Sequence, residues 1–158
     1  MKIKIAQTSS DFLIAKKLFL EYQTKIDVCL CFQSFEDELK ILSKIYKKPE
    51  GVLFLIEEKN KFIGCVGVRK FEDGICELKR MYIKQEFRGK GFGEILLLSA
   101  IKESKKLGYI KMRLDTLKTM FEAIGLYQKF GFKKIRKYYR NNIKNIVYLE
   151  KFLTKETE

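Results

Sequence analysis

A strand, a glycine-rich loop and a helix follow one another at residues 74–107, and this succession constrains the fold more than any other part of the chain. The strand GICELKRMYI leads into QEFRGKGFGEILLLSAIKE, where Gly89, Gly91 and Gly93 lie at every second position. Apolar residues then recur at helical spacing as far as Gly108, a typical C-terminal stop. This pattern predicts helices packed on a sheet.

The loop favours the binding of a phosphate group. A helix N-terminus carries about half a positive charge, and glycines let an anion approach its free N–H groups. Arg88 and Lys90 add cationic side chains. The spacing matches neither G-x-x-x-x-G-K-[ST] nor G-x-G-x-x-G. Asp115 nevertheless resembles the ribose-binding acid of dinucleotide-binding proteins, so that class stays open, as does a purely structural glycine turn.

The remaining segments predict one domain over residues 1–158 with the element order β-α-α-β-β-β-α-β-α-β-β. Antiparallel strands lead into a β-α-β crossover, so we expect an α/β fold with a mixed sheet. The predicted strands cover residues 1–7, 51–58, 61–69, 74–83, 109–116, 132–139 and 145–153, and the predicted helices cover 9–26, 34–46, 93–107 and 117–130.

The chain contains no histidine, which excludes Ser-His-Asp and Cys-His catalysis. Proton transfer must then fall to Glu, Asp, Tyr, Lys, Cys or water. Cys29 and Cys31 have the spacing of a metal pair, but without histidine or a second pair we expect no metal. We expect reduced thiols in a cytoplasmic protein, because neither an export signal nor an apolar segment of bilayer length is recognisable.

The formal net charge of +13 favours polyanionic partners. A basic nucleic-acid-binding module therefore stays open. Phosphate-bearing small molecules fit better, because the basic residues are scattered and no RNA-binding motif interleaves them with aromatic residues.

Three motifs carry a resemblance to a known family. RGKGFG resembles the R/Q-x-x-G-x-G/A signature of the GNAT superfamily of N-acetyltransferases, with Arg88, Gly91 and Gly93 at its fixed positions. LDTLKTMFEAIGLYQKFGF is similar to the family's following strand and its A-x-x-L-Y-x-x-x-G-F helix end, and FIGCVGVR is similar to the preceding strand. The resemblance is most specific over residues 62–132. Met120 departs from it, because many members have an asparagine there that reaches toward CoA.

The resemblance implies a GNAT-type acyl-CoA N-acyltransferase fold with acetyl-CoA as co-substrate. The central strand would diverge from the next one and leave a slot for the pantetheine arm. Residues expected to bind CoA, chiefly through their backbone, are Met81, Tyr82, Ile83, Arg88, Gly89, Lys90, Gly91, Phe92, Gly93 and Glu94.

The resemblance also implies catalytic residues. Tyr127 is the expected acid that protonates the CoA sulfur, although it could instead belong to the aromatic core. Glu77 lies eleven residues before Arg88, where some members place a general base, and water is the alternative base. Simple strand alternation would put Glu77, Lys79 and Met81 on one face.

The expected reaction is direct attack by a primary amine on acetyl-CoA in a ternary complex. An acetylated intermediate on Cys65 or Cys76 is the alternative route, and a non-catalytic CoA-binding or regulatory protein is the alternative class. IDVCLCFQSF, residues 26–35, predicts an apolar wall for a small amine or an amino-acid-like or peptide acceptor. The net charge disfavours polycationic acceptors. A homodimer and the use of longer acyl chains stay open.

Overall fold

The fold is a seven-stranded mixed sheet with helices packed on it. The computed structural model describes residues 1–26, 34–140 and 143–154. Its strands are β1 (Lys2–Ile5), β2 (Val52–Glu58), β3 (Lys61–Glu72), β4 (Ile75–Ile83), β5 (Lys111–Leu117), β6 (Lys133–Ile135) and β7 (Ile146–Phe152). Its helices are α1 (Ser9–Lys25), α2 (Phe35–Lys40), α3 (Leu42–Ile45), α4 (Phe92–Lys106) and α5 (Phe121–Lys129), with a 3-10 turn at Gln85–Phe87. The predicted mixed α/β fold is confirmed.

The sheet changes direction at its centre. Its strand order is β1-β2-β3-β4-β5-β7-β6, and the neighbours are antiparallel except for the parallel pair β4 and β5. A parallel pair needs a crossover connection, which α4 supplies here. Strand β4 therefore has an antiparallel neighbour on one side and a parallel neighbour on the other.

Two apolar cores stabilise the sheet. Leu96, Leu97 and Ala100 of α4 are fully buried in the first core, together with side chains of β2 to β5. Ala15 and Phe19 of α1 are fully buried in the second core, which α2 and α3 complete. Burial of each large apolar side chain contributes about 1.5–3 kcal/mol. The helical spacing of these residues explains why the helices could be predicted.

The helix predicted over residues 34–46 is interrupted at Ile41, which has φ −129° and ψ 30°. It forms α2 and α3 instead. The type and position of Ser34 predict a capping side chain at the start of this helix. Ser34 does occupy the N-cap position of α2, but its side chain makes no capping hydrogen bond, so this prediction is wrong. Phe35 of α2 and Leu42 of α3 both pack in the second apolar core, and α2 also contributes Glu38, which pairs with Arg80.

The strand predicted over residues 132–139 ends early, at Ile135. Tyr138 and Tyr139 lie beyond its end and donate hydrogen bonds to the carboxylates of Glu77 and Asp115. These hydrogen bonds direct the chain away from its ladder with β7 and toward Glu77 and Asp115 at the centre of the sheet.

Within residues 1–26, 34–140 and 143–154, no helix has both the length and the apolar composition that crossing a bilayer requires. Cys29, Cys31 and most of the predicted apolar wall at residues 26–35 lie outside the described residues.

Candidate active site

Strands β4 and β5 diverge at the centre of the sheet. They pair only where Ile75–Glu77 faces Lys111–Arg113, although both strands continue beyond this point. Lys79 and Asp115 face each other where the gap opens, with Nζ 3.4 Å from the Asp115 carboxylate. Beyond Glu77, β4 forms no ladder with β5, so an extended ligand can add to β4 there as a strand would.

A β-bulge at Arg80 and Met81 sets the direction of the side chains in β4. Cys65 faces Tyr82 and Gly67 faces Lys79, so two residues of β4 lie opposite one of β3. Met81 consequently packs with the first apolar core and Tyr82 with the second. The alternation that put Met81 on the face of Glu77 and Lys79 is therefore wrong, because a bulge shifts the phase of the strand.

A buried ion pair holds the bulge. Arg80 has φ 58°, which is costly for a residue with a Cβ, at about 1–3 kcal/mol. Its Nε and Nη2 donate to the two oxygens of Glu38 at 3.0 and 3.2 Å. Both side chains are at most 3% exposed. Strand β4 is thereby attached to α2.

We expect Glu38→Ala to destabilise the protein by about 3–5 kcal/mol, because the Arg80 guanidinium would stay buried without its main partner. Urea unfolding measures this change. Glu36→Ala is the matched control, since Glu36 is exposed on the same helix, and it should change the stability by less than about 0.5 kcal/mol. A similar small loss for Glu38→Ala would contradict this account of the bulge.

The glycine loop leaves the N-terminus of α4 open. Gly89 and Gly91 have φ +76° and +86°, and a Cβ built on either residue would have no neighbour within 4 Å. Gly91 is the N-cap residue of α4 and has no side chain that could accept a hydrogen bond from the first amides of the helix. The first intrahelical bond runs from the amide of Ile95 to the carbonyl of Gly91. The amides before Ile95 therefore have no intrahelical acceptor and face an open loop.

This loop borders a groove of about 780 Å³. The groove contains nine of the ten residues predicted to bind CoA, namely Met81, Tyr82, Ile83, Arg88, Gly89, Gly91, Phe92, Gly93 and Glu94. The start of α5 forms the opposite wall, where Met120 contributes a thioether in place of the family's amide. The structure thus brings these residues together, and their role in CoA binding stays a prediction.

The cationic side chains of the loop are already engaged. Arg88 donates from Nε to the carbonyl of Ile83 at 2.9 Å, at the end of β4. Lys90 lies outside the groove wall, with its ammonium 5.5 Å from the centre of the Phe87 ring. An anion in the loop would therefore meet backbone amides first.

Two buried carboxylates, those of Glu77 and Asp115, lie where β4 and β5 diverge. Glu77 accepts hydrogen bonds from Arg69 Nε at 3.2 Å and from the Tyr138 hydroxyl at 2.8 Å, and it lies 3.9 Å from Lys79 Nζ. Burial lowers the pKa of Lys79, although Asp115 and Glu77 oppose this effect. Together these groups form a polar network in the middle of the sheet.

Sequence reasoning identified Glu77 here but missed Lys79, Tyr138 and Tyr139. One signal was present, since CELKRM places three charged residues among four consecutive positions, 77 to 80, within a central strand. Charges in such a strand are buried, and buried charges need partners.

Tyr127 lies in α5 and is 6% exposed. Its ring packs against Phe132, with the centroids 5.7 Å apart, while its neighbour Leu126 lines the groove. Burial raises the pKa of Tyr127, and nearby Tyr22 and Asp115 raise it further. Tyr127 therefore keeps its proton at neutral pH, and the aromatic-core and catalytic interpretations are compatible.

The two described cysteines are buried. Cys65 and Cys76 are both 0% exposed, and burial raises the pKa of Cys76 to about 12 and that of Cys65 as well. Because the thiolate is the nucleophile, neither residue is activated at neutral pH.

The divergent β4 and β5 and the glycine-led helix define an acyl-CoA transferase fold, and comparisons with known proteins agree. Residues 17–132 match the model of the acetyltransferase (GNAT) family. An uncharacterized N-acetyltransferase of Schizosaccharomyces pombe is 39% identical over 155 residues, covering 97% of this chain and 93% of the relative. The chain belongs to the GNAT family and is an acetyl-CoA-dependent N-acetyltransferase.

Solved structures share the fold. The PaiA N-acetyltransferase of Thermoplasma acidophilum, in complex with coenzyme A, has a TM-score of 0.70 at 22% identity and covers 96% of this chain and 99% of its own. YncA of Salmonella typhimurium, solved with acetyl-CoA, has a TM-score of 0.75 at 16% identity and covers 100% of this chain and 96% of its own.

Proposed function

We propose that this enzyme, as one domain over residues 1–158, transfers the acetyl group of acetyl-CoA to the primary amine of a small molecule. The observation that carries this proposal is the divergence of β4 and β5. The groove beside the glycine loop reaches β4 from Met81 onward, and a second cavity reaches it at Glu77 and Lys79. Two substrates held at neighbouring positions of one strand can react directly, because proximity removes much of the barrier.

The groove fits the acetyl donor. The amides from residue 89 to residue 94 would hold the pyrophosphate, where the glycine φ values leave room for an anion, whereas the Arg88 amide already donates to the carbonyl of Gln85 at 3.2 Å. The backbone around Met81 and Ile83 would pair with the pantetheine arm. Arg88 takes one lone pair of the Ile83 carbonyl, so this side chain is a neighbour of the arm.

The proposed reaction is a direct attack. The amine nitrogen forms a bond to the thioester carbonyl carbon, and the C–S bond breaks to release CoA thiolate. Glu77 or water takes the proton that the amine loses. Tyr127 donates a hydrogen bond to the leaving sulfur and stabilises the thiolate as the C–S bond breaks. Burial raises the pKa of Tyr127, so the thiolate takes the Tyr127 proton only as solvent returns a proton to the phenolate, and CoA leaves as the thiol.

The burial of Cys65 and Cys76 supports a ternary complex over an acetyl-cysteine intermediate. Either thiol would have to lose its proton inside an apolar core before it could accept the acetyl group.

A screen for free thiol tests the proposal. The protein is mixed with acetyl-CoA and an array of small primary amines, and CoA release is followed with a thiol reagent. We expect release that depends on one class of amine, together with the N-acetylated product by mass spectrometry. Release that never depends on an added amine would contradict the proposal.

We expect Gly91→Val to abolish the rise in melting temperature that acetyl-CoA causes, because the side chain would enter the proposed phosphate site. At a concentration of 100 times Kd, this rise corresponds to about 2.7 kcal/mol. Gly108→Val is the matched control, since Gly108 also has a positive φ, +93°, and open space around its Cβ position. It should carry a similar backbone strain and keep the acetyl-CoA shift. If acetyl-CoA raises the melting temperature of Gly91→Val as much as that of the wild type, the glycines serve only to form the turn.

A further inference from the structure

We propose that the acceptor amine also carries a carboxylate, as an α-amino acid does, and that the cavity beside Glu77 binds it. This inference rests on the proposed function and names the substrate class. The cavity has a volume of about 540 Å³ and lies between α3, β3 and β4. That size is typical of a small-molecule site and too small for a long peptide.

The floor of the cavity presents one carboxylate, that of Glu77, which Arg69 contacts from one side at 3.2 Å. Glu77 and Lys79 line it, and Asp115 lies behind Lys79 at 3.4 Å. These three side chains are between 3% and 8% exposed, so solvent screens them poorly. With Arg69 counted, the charges of this group balance, and Glu77 is its carboxylate that lines the cavity where β4 and β5 diverge. An ammonium group entering the cavity can donate to Glu77, next to the point where acetyl transfer would occur.

The rim of the cavity is positively charged. Lys44, Arg69 and Lys70 line it, with Glu50 as the only carboxylate among the described lining residues outside the floor. Lys70 is engaged by Asp73 at 3.0 Å and by Glu50 at 3.6 Å.

Lys44 is the cation of the rim whose ammonium is available to a ligand. It is exposed in α3, and no carboxylate within residues 1–26, 34–140 and 143–154 forms an ion pair with it. Arg69 is held by Glu77 and Glu38 through Nε and Nη1, and its side chain as a whole is 26% exposed. An incoming carboxylate would find a charged donor at Lys44 and further donor capacity at Arg69.

The separation of charge selects the acceptor. A zwitterion places its ammonium against the Glu77 carboxylate and its own carboxylate at the rim, where Lys44 lies. A simple alkylamine makes only the first contact, and a polyamine brings a second cation against Lys44 and Arg69. Like charges placed together at a binding site are a recognised means of rejecting a ligand.

The test compares amines that differ only in the carboxylate. Glycine, alanine, leucine, phenylalanine, aspartate and glutamate are assayed beside their α-amides, with acetyl-CoA held at saturation. At neutral pH the amides contain more free amine, so their intrinsic reactivity is the higher. We expect the wild type to favour at least one acid over its amide by about 10-fold in kcat/KM, the size of one charge-assisted hydrogen bond.

Lys44→Glu should remove this preference by raising KM for the acid about 10-fold, with little change in kcat or in the kinetics of the amide. Lys102→Glu is the matched control, because Lys102 is exposed on α4 and carries the same charge reversal away from the cavity. It should behave as the wild type.

Equal or better use of the amides by the wild type would overturn the inference while the acetyltransferase proposal stood. An acid preference that survives Lys44→Glu would overturn the assignment to this cavity. If no amine is acetylated at all, the proposed function falls, and the inference falls with it.

Discussion

Tyr127→Phe is expected to fold, to bind acetyl-CoA as the wild type does, and to turn over about 100-fold more slowly, the usual loss when a general acid is removed. Phenylalanine keeps the ring that packs against Phe132 and removes only the hydroxyl. That hydroxyl has no hydrogen-bond partner among the described residues, so its loss should cost little stability. Steady-state turnover with the best amine of the screen measures the effect.

Tyr109→Phe is the control for Tyr127→Phe. Tyr109 is also a buried tyrosine, and its hydroxyl donates to the backbone carbonyl of Glu50. Its replacement should cost about 1 kcal/mol of stability and leave turnover intact. If Tyr127→Phe turns over like the wild type, Tyr127 has no part in the reaction. If it instead loses much stability, the hydroxyl serves the core.

Glu77→Gln is expected to lower the rate by about 10²- to 10⁴-fold if Glu77 is the general base. The loss should be greatest at low pH, where the acceptor is an ammonium ion and must lose a proton before it attacks. Glutamine keeps the length of the side chain and can still accept from the Tyr138 hydroxyl. The pH dependence of kcat/KM, measured for both proteins, reports the change.

Glu72→Gln is the control for Glu77→Gln, because Glu72 lies at the end of β3 and its side chain is 56% exposed. Its pH profile should match that of the wild type. A profile unchanged by Glu77→Gln would assign deprotonation to water and leave Glu77 as the partner of Arg69 and Tyr138.

The sequence identified the parts of the site that depend on neighbours along the chain. The strand, loop and helix at residues 74–107 could be predicted because alternation, glycine spacing and helical periodicity are local properties. The same holds for the glycine loop, where bare backbone follows directly from the residue type. The groove residues were therefore found together, without knowledge of the rest of the fold.

The parts that failed depend on distant partners. The bulge at Arg80 is held by Glu38, 42 positions away, so the pattern of β4 gave no sign that Met81 would change face. The turn of Tyr138 and Tyr139 away from β6 depends on the buried carboxylates of Glu77 and Asp115, at separations of 61 and 24 residues. A strand-like pattern cannot reveal such side-chain bonds.

The pairing of Lys79 with Asp115 could not be predicted either. Both residues belong to strands that were identified, but their contact depends on where the parallel ladder of β4 and β5 stops. The cavity reaches β4 at Glu77 and Lys79, next to this stopping point, and the groove reaches it from Met81 onward. The stopping point is a property of the whole sheet rather than of either strand.

A single turnover tests the central claim most directly. Excess protein is mixed with acetyl-CoA labelled in its acetyl group and with the best amine of the screen, and the quenched mixture is resolved by mass spectrometry over time. Direct transfer at the divergence of β4 and β5 predicts that the label passes from CoA to the amine, that none is found on the protein, and that omission of the amine leaves acetyl-CoA intact. Label that accumulates on Cys65, Cys76 or any other residue before it reaches the amine, or acetyl-CoA that is consumed without the amine, would contradict the account.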